Sequence, residues 1–185
     1  MLFNAHNRHM YDHLKIIKYP DPRLKRIAKP VQQFDDDLRA LVTRMFELMR
    51  AAKGVGLAAP QVGIDLRLFV MNATGETDGD RVYINPVLSE GSGSEEDEEG
   101  CLSLPTIYIQ VVRSIRLHMA AQNLDGKPFE EEATGFVARV WQHETDHLNG
   151  VMLTDRMGPV AKLTFRKKLK DMELDYAELT KQTRK

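Results

Sequence analysis

With one cysteine, Cys101, in 185 residues, the chain cannot close an intramolecular disulfide, which excludes a disulfide-stapled secreted module. A surplus of charge is also missing. The 26 Lys+Arg stand against 27 Asp+Glu, net −1, so no global basic field points to nucleic acid. No apolar run approaches the roughly 18–20 residues of a membrane span, and the stretch from Met1 to Lys15 lacks an apolar signal core. What is present is 42% hydrophobic and 29% charged residues, enough apolar mass for a core, unlike a disordered chain. The length suits one domain of roughly 100–200 residues. The expectation is a soluble intracellular domain.

Residues 1–13 read as a polar tail carrying His6, His9 and His13, and the folded domain is expected over 14–185. Tyr19-Pro20-Asp21-Pro22 is a turn, because each proline biases the residue before it away from helix. Asp35, Asp36 and Asp37 suit a positive helix start. Leu38, Leu41, Val42, Met45, Leu48 and Met49 follow at helical steps, and Lys53-Gly54 ends that helix. Strands are expected over Leu66–Met71, Val82–Ile84, Ile107–Val112, Ile115–Ala121 and Lys127–Ala133, with a break at Asn85-Pro86. Ser89 to Gly100 ends in five acids, Glu95 to Glu99, and reads as a solvated loop with Glu99 set apart. Thr134 or Gly135 starts a helix reaching about Leu148, stopped by Asn149-Gly150, and a last helix runs over about 160–180. The fold class is α+β, in a single domain.

The sharpest local signal is His143-Glu144-Thr145-Asp146-His147. On a helix, residues four apart project from one side, so His143 and His147 can hold one metal ion. Glu144 lies about 100° round from His143, near enough to reach an activated water without competing as a ligand. A catalytic zinc-type site takes three protein ligands and keeps a position open for water. Cys101, after Gly100 and at the start of a strand, is the candidate third ligand. Gly54-Val55-Gly56-Leu57-Ala58-Ala59-Pro60-Gln61 lacks bulk, which suits close backbone approach, and Gln61 offers an uncharged donor. By itself, that segment is also an ordinary turn composition.

Taken together, three segments resemble the peptide deformylase family: Gly54 to Gln61, Glu99 to Ser103 and Gln142 to Leu148, in that order, with Asp21-Pro22-Arg23-Leu24 nearer the start. The resemblance implies antiparallel β-sheets packed around a central metal-binding helix, with a C-terminal helix. It implies that Cys101, His143 and His147 ligate one divalent ion, typically Fe2+, although Zn2+, Ni2+ or Co2+ also suits these donors. It implies hydrolysis of the N-formyl group from the initiator methionine of new polypeptides, with a metal-activated hydroxide attacking and Glu144 as general base and acid. Gln61 and the Leu102 N–H would receive the developing oxyanion. The peptide would lie extended against Val55, Gly56 and Gly100. Val55, Phe136 and Val140 are candidates for the methionine pocket, although plain core packing accounts for any one of them equally well. An Asp146–Arg113 ion pair and a Gln142–Ser103 hydrogen bond are expected to support the site, and Glu99 to hold the cysteine loop. Thr106 and Tyr108 depart from residues frequent in the family, which bears on substrate preference alone.

Two rivals share parts of this pattern. A zincin-type protease needs a third ligand after the helix, where Asn149 to Arg156 offers only Asp155. A structural-metal module would lack Glu144 or Gln61, and both are here. The segment from Val160 to Lys185 holds eight Lys/Arg against four acids, so ribosome docking competes there with a plain solvated helix. A monomer in the bacterial cytoplasm is the remaining expectation, with an organellar origin left open.

Overall fold

In the computed structural model, residues 10–182 are described, so the expectations for His6 and His9 lie outside the described residues, and His13 is exposed. Asp35 caps the first helix, α1 (Asp36–Ala51), its carboxylate accepting the Leu38 N–H at 3.0 Å. That bond satisfies one of the four donors a helix start leaves open. Helical spacing then turns Leu38, Leu41, Val42, Met45 and Met49 inward, all buried.

Seven strands follow: β1 (Gly56–Ala58), β2 (Leu68–Met71), β3 (Arg81–Ser92), β4 (Glu95–Cys101), β5 (Leu104–Arg113), β6 (Arg116–Gln122) and β7 (Pro128–Thr134). Five form an antiparallel sheet in the order β1-β2-β3-β6-β7, and β4 pairs with β5 in a second sheet. Strand β2 shows how the layers arise. Its four residues are all buried, and because side chains alternate, Leu68 and Val70 join the α1 core while Phe69 and Met71 join the core beneath the next helix. That helix, α2 (Gly135–Leu148), packs Ala138, Trp141 and Leu148 there. Tyr83 stacks on Phe69 at 4.9 Å and meets the edge of Trp141 at 5.5 Å, each contact worth about 0.5–1.5 kcal/mol beyond its buried area. Gly150, just past α2, has φ +71, and a β-carbon there would stand 2.5 Å from the Lys25 carbonyl oxygen.

The third core lies under the small sheet. Leu104, Ile107, Ile109 and Val111 of β5 meet Leu153 of α3 (Leu153–Arg156) and Met157. Against this cluster rest Phe165, Leu169 and Met172 of α4 (Pro159–Gln182). Tyr19 donates to Glu173 and Lys168 to the Thr106 carbonyl, yet no residue of α4 is buried. No helix of the described residues is long and apolar enough to cross a membrane.

Two expectations about the chain's middle are corrected. Asn85-Pro86 does not end a strand, because β3 runs through it with a register shift between Ile84 and Val87. Asn85, at φ +52, turns its amide onto both backbone groups of Val31 and onto Gln122. Nor is Ser89 to Gly100 a solvated loop. Glu95 to Glu99 pair residue by residue with Arg113 to Ile109 of β5. Acidic side chains are no obstacle to strand pairing when the backbone is bonded and the carboxylates face water, and only Glu99 of the five is buried.

Candidate metal centre

The helix spacing does what it should: the His143 and His147 rings meet edge to face with centroids 5.0 Å apart. The β4–β5 turn brings Cys101 alongside, its Sγ 3.3 Å from His147 Nε2. One donor atom from each of Cys101, His143 and His147 falls within 4.8 Å of the others. Donors held at about 2.0–2.3 Å from a tetrahedral ion lie about 3.3–3.8 Å from one another; the Cys101–His147 pair already has that spacing, and the trio as a whole could hold one divalent ion. His143 is also set to present Nε2, since its Nδ1 donates to Glu99 Oε2 at 2.9 Å.

Electrostatics couple the thiol to the two imidazoles. Burial raises the Cys101 value, but the imidazoles of His147 and His143 outweigh it and hold the thiol well below its ordinary range. Burial lowers the His143 value, and hydrogen bonds to Cys101 and Glu99 reverse this and carry it well above normal. Glu144 is buried at 4% exposure, and its Oε2 has no hydrogen-bond partner among the described residues. Burial pushes its carboxyl up to about 7, against the pull of the two imidazoles. Gly56 lies directly against it: a β-carbon there would come 2.4 Å from Glu144 Oε1.

Gln61 is 1% exposed and tied at both ends of its amide. Its Oε1 accepts the Ala58 N–H at 2.8 Å, while Nε2 donates to Ser103 Oγ at 3.2 Å and lies 3.6 Å from Cys101 Sγ. Lys18 Nζ donates to the Leu102 carbonyl at 2.5 Å, tethering the cysteine turn. Leu102 lies over Gly54, where a β-carbon would meet its Cδ1 at 2.5 Å.

A family model described as polypeptide deformylase matches residues 13–163. The chain belongs to the peptide deformylase family. It is 49% identical over 160 residues to a peptide deformylase of Chromobacterium violaceum, covering 86% of this chain and 96% of that one. Its structure is similar to that of a Plasmodium falciparum peptide deformylase, with a TM-score of 0.86 at 39% identity over 89% of this chain and 98% of the other. The crystal structure of Thermotoga maritima peptide deformylase matches with a TM-score of 0.75 at 47% identity, over 79% of this chain and 98% of the other. The α+β fold and the enzyme class, a hydrolase, follow from these likenesses.

In this deformylase family member, the Asp146–Arg113 pair forms at 2.7 Å, both side chains largely buried. The Gln142–Ser103 bond does not. Gln142 instead brackets Ser114, accepting its N–H and donating to its carbonyl, each at 3.0 Å. Ser103 belongs to Gln61. The helix turns Gln142 about 100° away from His143, towards the turn between β5 and β6 and not the cysteine turn. Val55 and Phe136 keep exposed apolar surface, at 41% and 54%, whereas Val140 is buried in the core beneath α2.

Sequence reasoning missed how far Glu99 reaches. Its carboxylate receives Arg113 Nε and Nη2, Arg139 Nη1 and His143 Nδ1, all within 2.9 Å. Burial would raise its value, and Arg113 and His143 together hold it far below the usual carboxylate range. Arg139 also donates to the carbonyls of Val111 and Glu95. One signal was available: Arg139 sits four residues before His143 and interrupts an apolar helix face.

Proposed function

We propose that this enzyme removes the N-formyl group from the initiator methionine of newly made polypeptides and releases formate. The observation that carries the reading is the buried Glu144 carboxyl, one oxygen unpartnered, beside a thiol and two imidazoles spaced for one ion. Cys101, His143 and His147 would hold that ion, ferrous iron by family likeness. A divalent ion there supplies Lewis acidity and lowers the pKa of water towards neutrality.

The remaining work falls to the chain. Glu144, with its carboxyl raised to about 7, accepts the proton of the attacking water and returns it to the departing amine. Gln61 Nε2 and the Leu102 N–H donate to the formyl oxygen as it gains charge. Each such donor commonly supplies a factor of about 10²–10³ in rate. β1 lies at the edge of its sheet and β4 is paired on one side only, so Gly56 and Gly100 offer backbone for an extended peptide to pair with. Val55 and Phe136, with Val140 behind, would wall the methionine side chain. Glu99 keeps His143 in one tautomer, and Asp146, Arg113, Gln142 and Ser103 fix the turns around it.

Such a substrate places a monomeric enzyme beside ribosomes in the cytoplasm. The Lys and Arg of α4, Lys162 to Lys170 among them, would dock there, a contact that salt should weaken in co-sedimentation.

The test is formate release from formyl-Met-Ala-Ser by anaerobically prepared, metal-replete protein, against an acetylated control. Turnover of the formyl peptide alone is expected, falling by about 10²–10⁴ in Glu144→Ala with metal retained. No turnover by metal-replete wild type would overturn the reading.

A further inference from the structure

Three consecutive residues, Ile17, Lys18 and Tyr19, each hold a carbonyl at the edge of the metal centre. The Ile17 N–H donates to the Gln61 carbonyl at 2.8 Å, and the Tyr19 N–H donates to the Ser103 carbonyl at 2.9 Å. Between them, Lys18 donates from Nζ to the Leu102 carbonyl at 2.5 Å. The segment straps the turn of Gln61 to the turn of Cys101. The two turns also meet directly, through Gln61 Nε2 on Ser103 Oγ at 3.2 Å.

The cysteine turn has a physical reason to rely on the strap. Leu102 and Ser103 form the loop between the paired residues Cys101 and Leu104. Hairpin loops of this length favour turns with φ above zero at one or both loop positions, because those turns match the strand twist. Neither Leu102 nor Ser103 has a positive φ. The loop therefore lacks the favoured local geometry, and bonds from outside the hairpin hold it. Tyr19 fixes its second residue. Lys18 fixes its first, Leu102, whose N–H is one of the two donors to the formyl oxygen in the reading above.

The charge of Lys18 suits this task. A hydrogen bond from an ionised donor is shorter and stronger than one from a neutral donor. Burial lowers the Lys18 value, and the Cys101 thiolate opposes that shift, so the ammonium lies within the field of the centre. Lys18 is nonetheless an exposed residue, and exposed polar contacts contribute little to stability. Its effect should fall on aim instead. We propose that Lys18 is a positioning residue for deformylation: by holding the Leu102 carbonyl, its ammonium keeps the Leu102 N–H directed at the formyl oxygen as that oxygen gains charge. The inference rests on the roles proposed above for Gln61 and Leu102. Displacing a group by about 1 Å can cost about 10²-fold in rate.

The test combines kinetics of anaerobically prepared, metal-replete protein on formyl-Met-Ala-Ser with NMR of the zinc-bound protein and urea unfolding. Lys18→Met should lower kcat about tenfold, with KM, metal content and urea midpoint unchanged. It should move the amide signals of Leu102 and Ser103 and leave that of Ala58, bonded to Gln61, in place. Lys18→Arg keeps a charged donor and should recover most of kcat. Lys15→Met removes the same charge from another exposed position of the segment and should leave kcat as it is. No turnover by wild type would overturn the deformylation reading and this inference with it. Wild-type turnover that survives intact in Lys18→Met would overturn the inference alone. So would a loss confined to KM, an equal loss in Lys15→Met, or a loss that follows a lowered urea midpoint and is not recovered by Lys18→Arg.

Discussion

The two long helices of the C-terminal half are built on opposite principles. α2 buries eight residues, among them Arg139, Glu144, Thr145 and His147, inside a sheet-flanked core. α4 is longer, at 24 residues, and buries none. Around α2, five polar side chains lie largely out of water and are bound to one another: Glu99, Arg113, Arg139, Asp146 and His143 form one connected network. Around α4, the polar contacts are exposed bonds such as Tyr19–Glu173 and Lys168–Thr106. Burial makes each contact of the first helix costly to break, because an unpaired charge there cannot recover its hydration. Water replaces most of what the second helix would lose. Positional accuracy is therefore concentrated where Cys101, His143 and His147 cluster.

Four substitutions test that contrast, the largest effect first. Glu99→Ala strands Arg139 and half of Arg113 in the core. It should cost about 3–5 kcal/mol in urea unfolding and about 10–100-fold in metal affinity as His143 loses its orienting acceptor. A loss below 1 kcal/mol would break the contrast. Gln61→Ala should lower kcat about 10²–10³-fold with metal content unchanged, whereas a change confined to KM would assign Gln61 to peptide binding instead.

Glu144→Gln sharpens the comparison through pH. In metal-free protein, the Glu144 value rises from about 4.5 in the unfolded chain to about 7 in the fold. Folding therefore favours its neutral form, and that contribution is fully present below pH ~4.5 and lost as pH rises through about 7. Metal-free Glu144→Gln should match wild type at low pH and exceed it at high pH in urea midpoints. Parallel curves would rule out the buried-acid account.

Tyr19→Phe should have the smallest effect, less than about 1 kcal/mol. Burial and the Glu173 carboxylate raise the Tyr19 value to about 12. Its share of stability is thus present below the ordinary tyrosine value of about 10 and lost towards pH 12. The phenylalanine variant should lack that alkaline step.

Legibility follows the same division between local and distant causes. The bounds of α1 and α2 could be read within a residue or two, because caps and apolar period act over a single turn. The clustering of Cys101, His143 and His147 was readable for a related reason: two of them share one helix side, and the third sits in a short recognisable segment. The acidic strand was misread because composition reports that side chains prefer water, which β4 satisfies while its backbone pairs with β5. Gln142 was given the wrong partner because its direction from α2 depends on which strand passes beside it.

By itself, then, the sequence determined which thiol and imidazoles would cluster, the helix that aligns two of them and the α+β class, all products of short-range spacing and side-chain chemistry. Tertiary structure alone decided what braces them. Glu99 and Arg139 are 40 residues apart in the chain, and Arg113 and Asp146 are 33 apart. No local period relates such positions. They meet because β4, β5 and α2 close around one buried carboxylate, where paired charges are stable and unpaired ones are not.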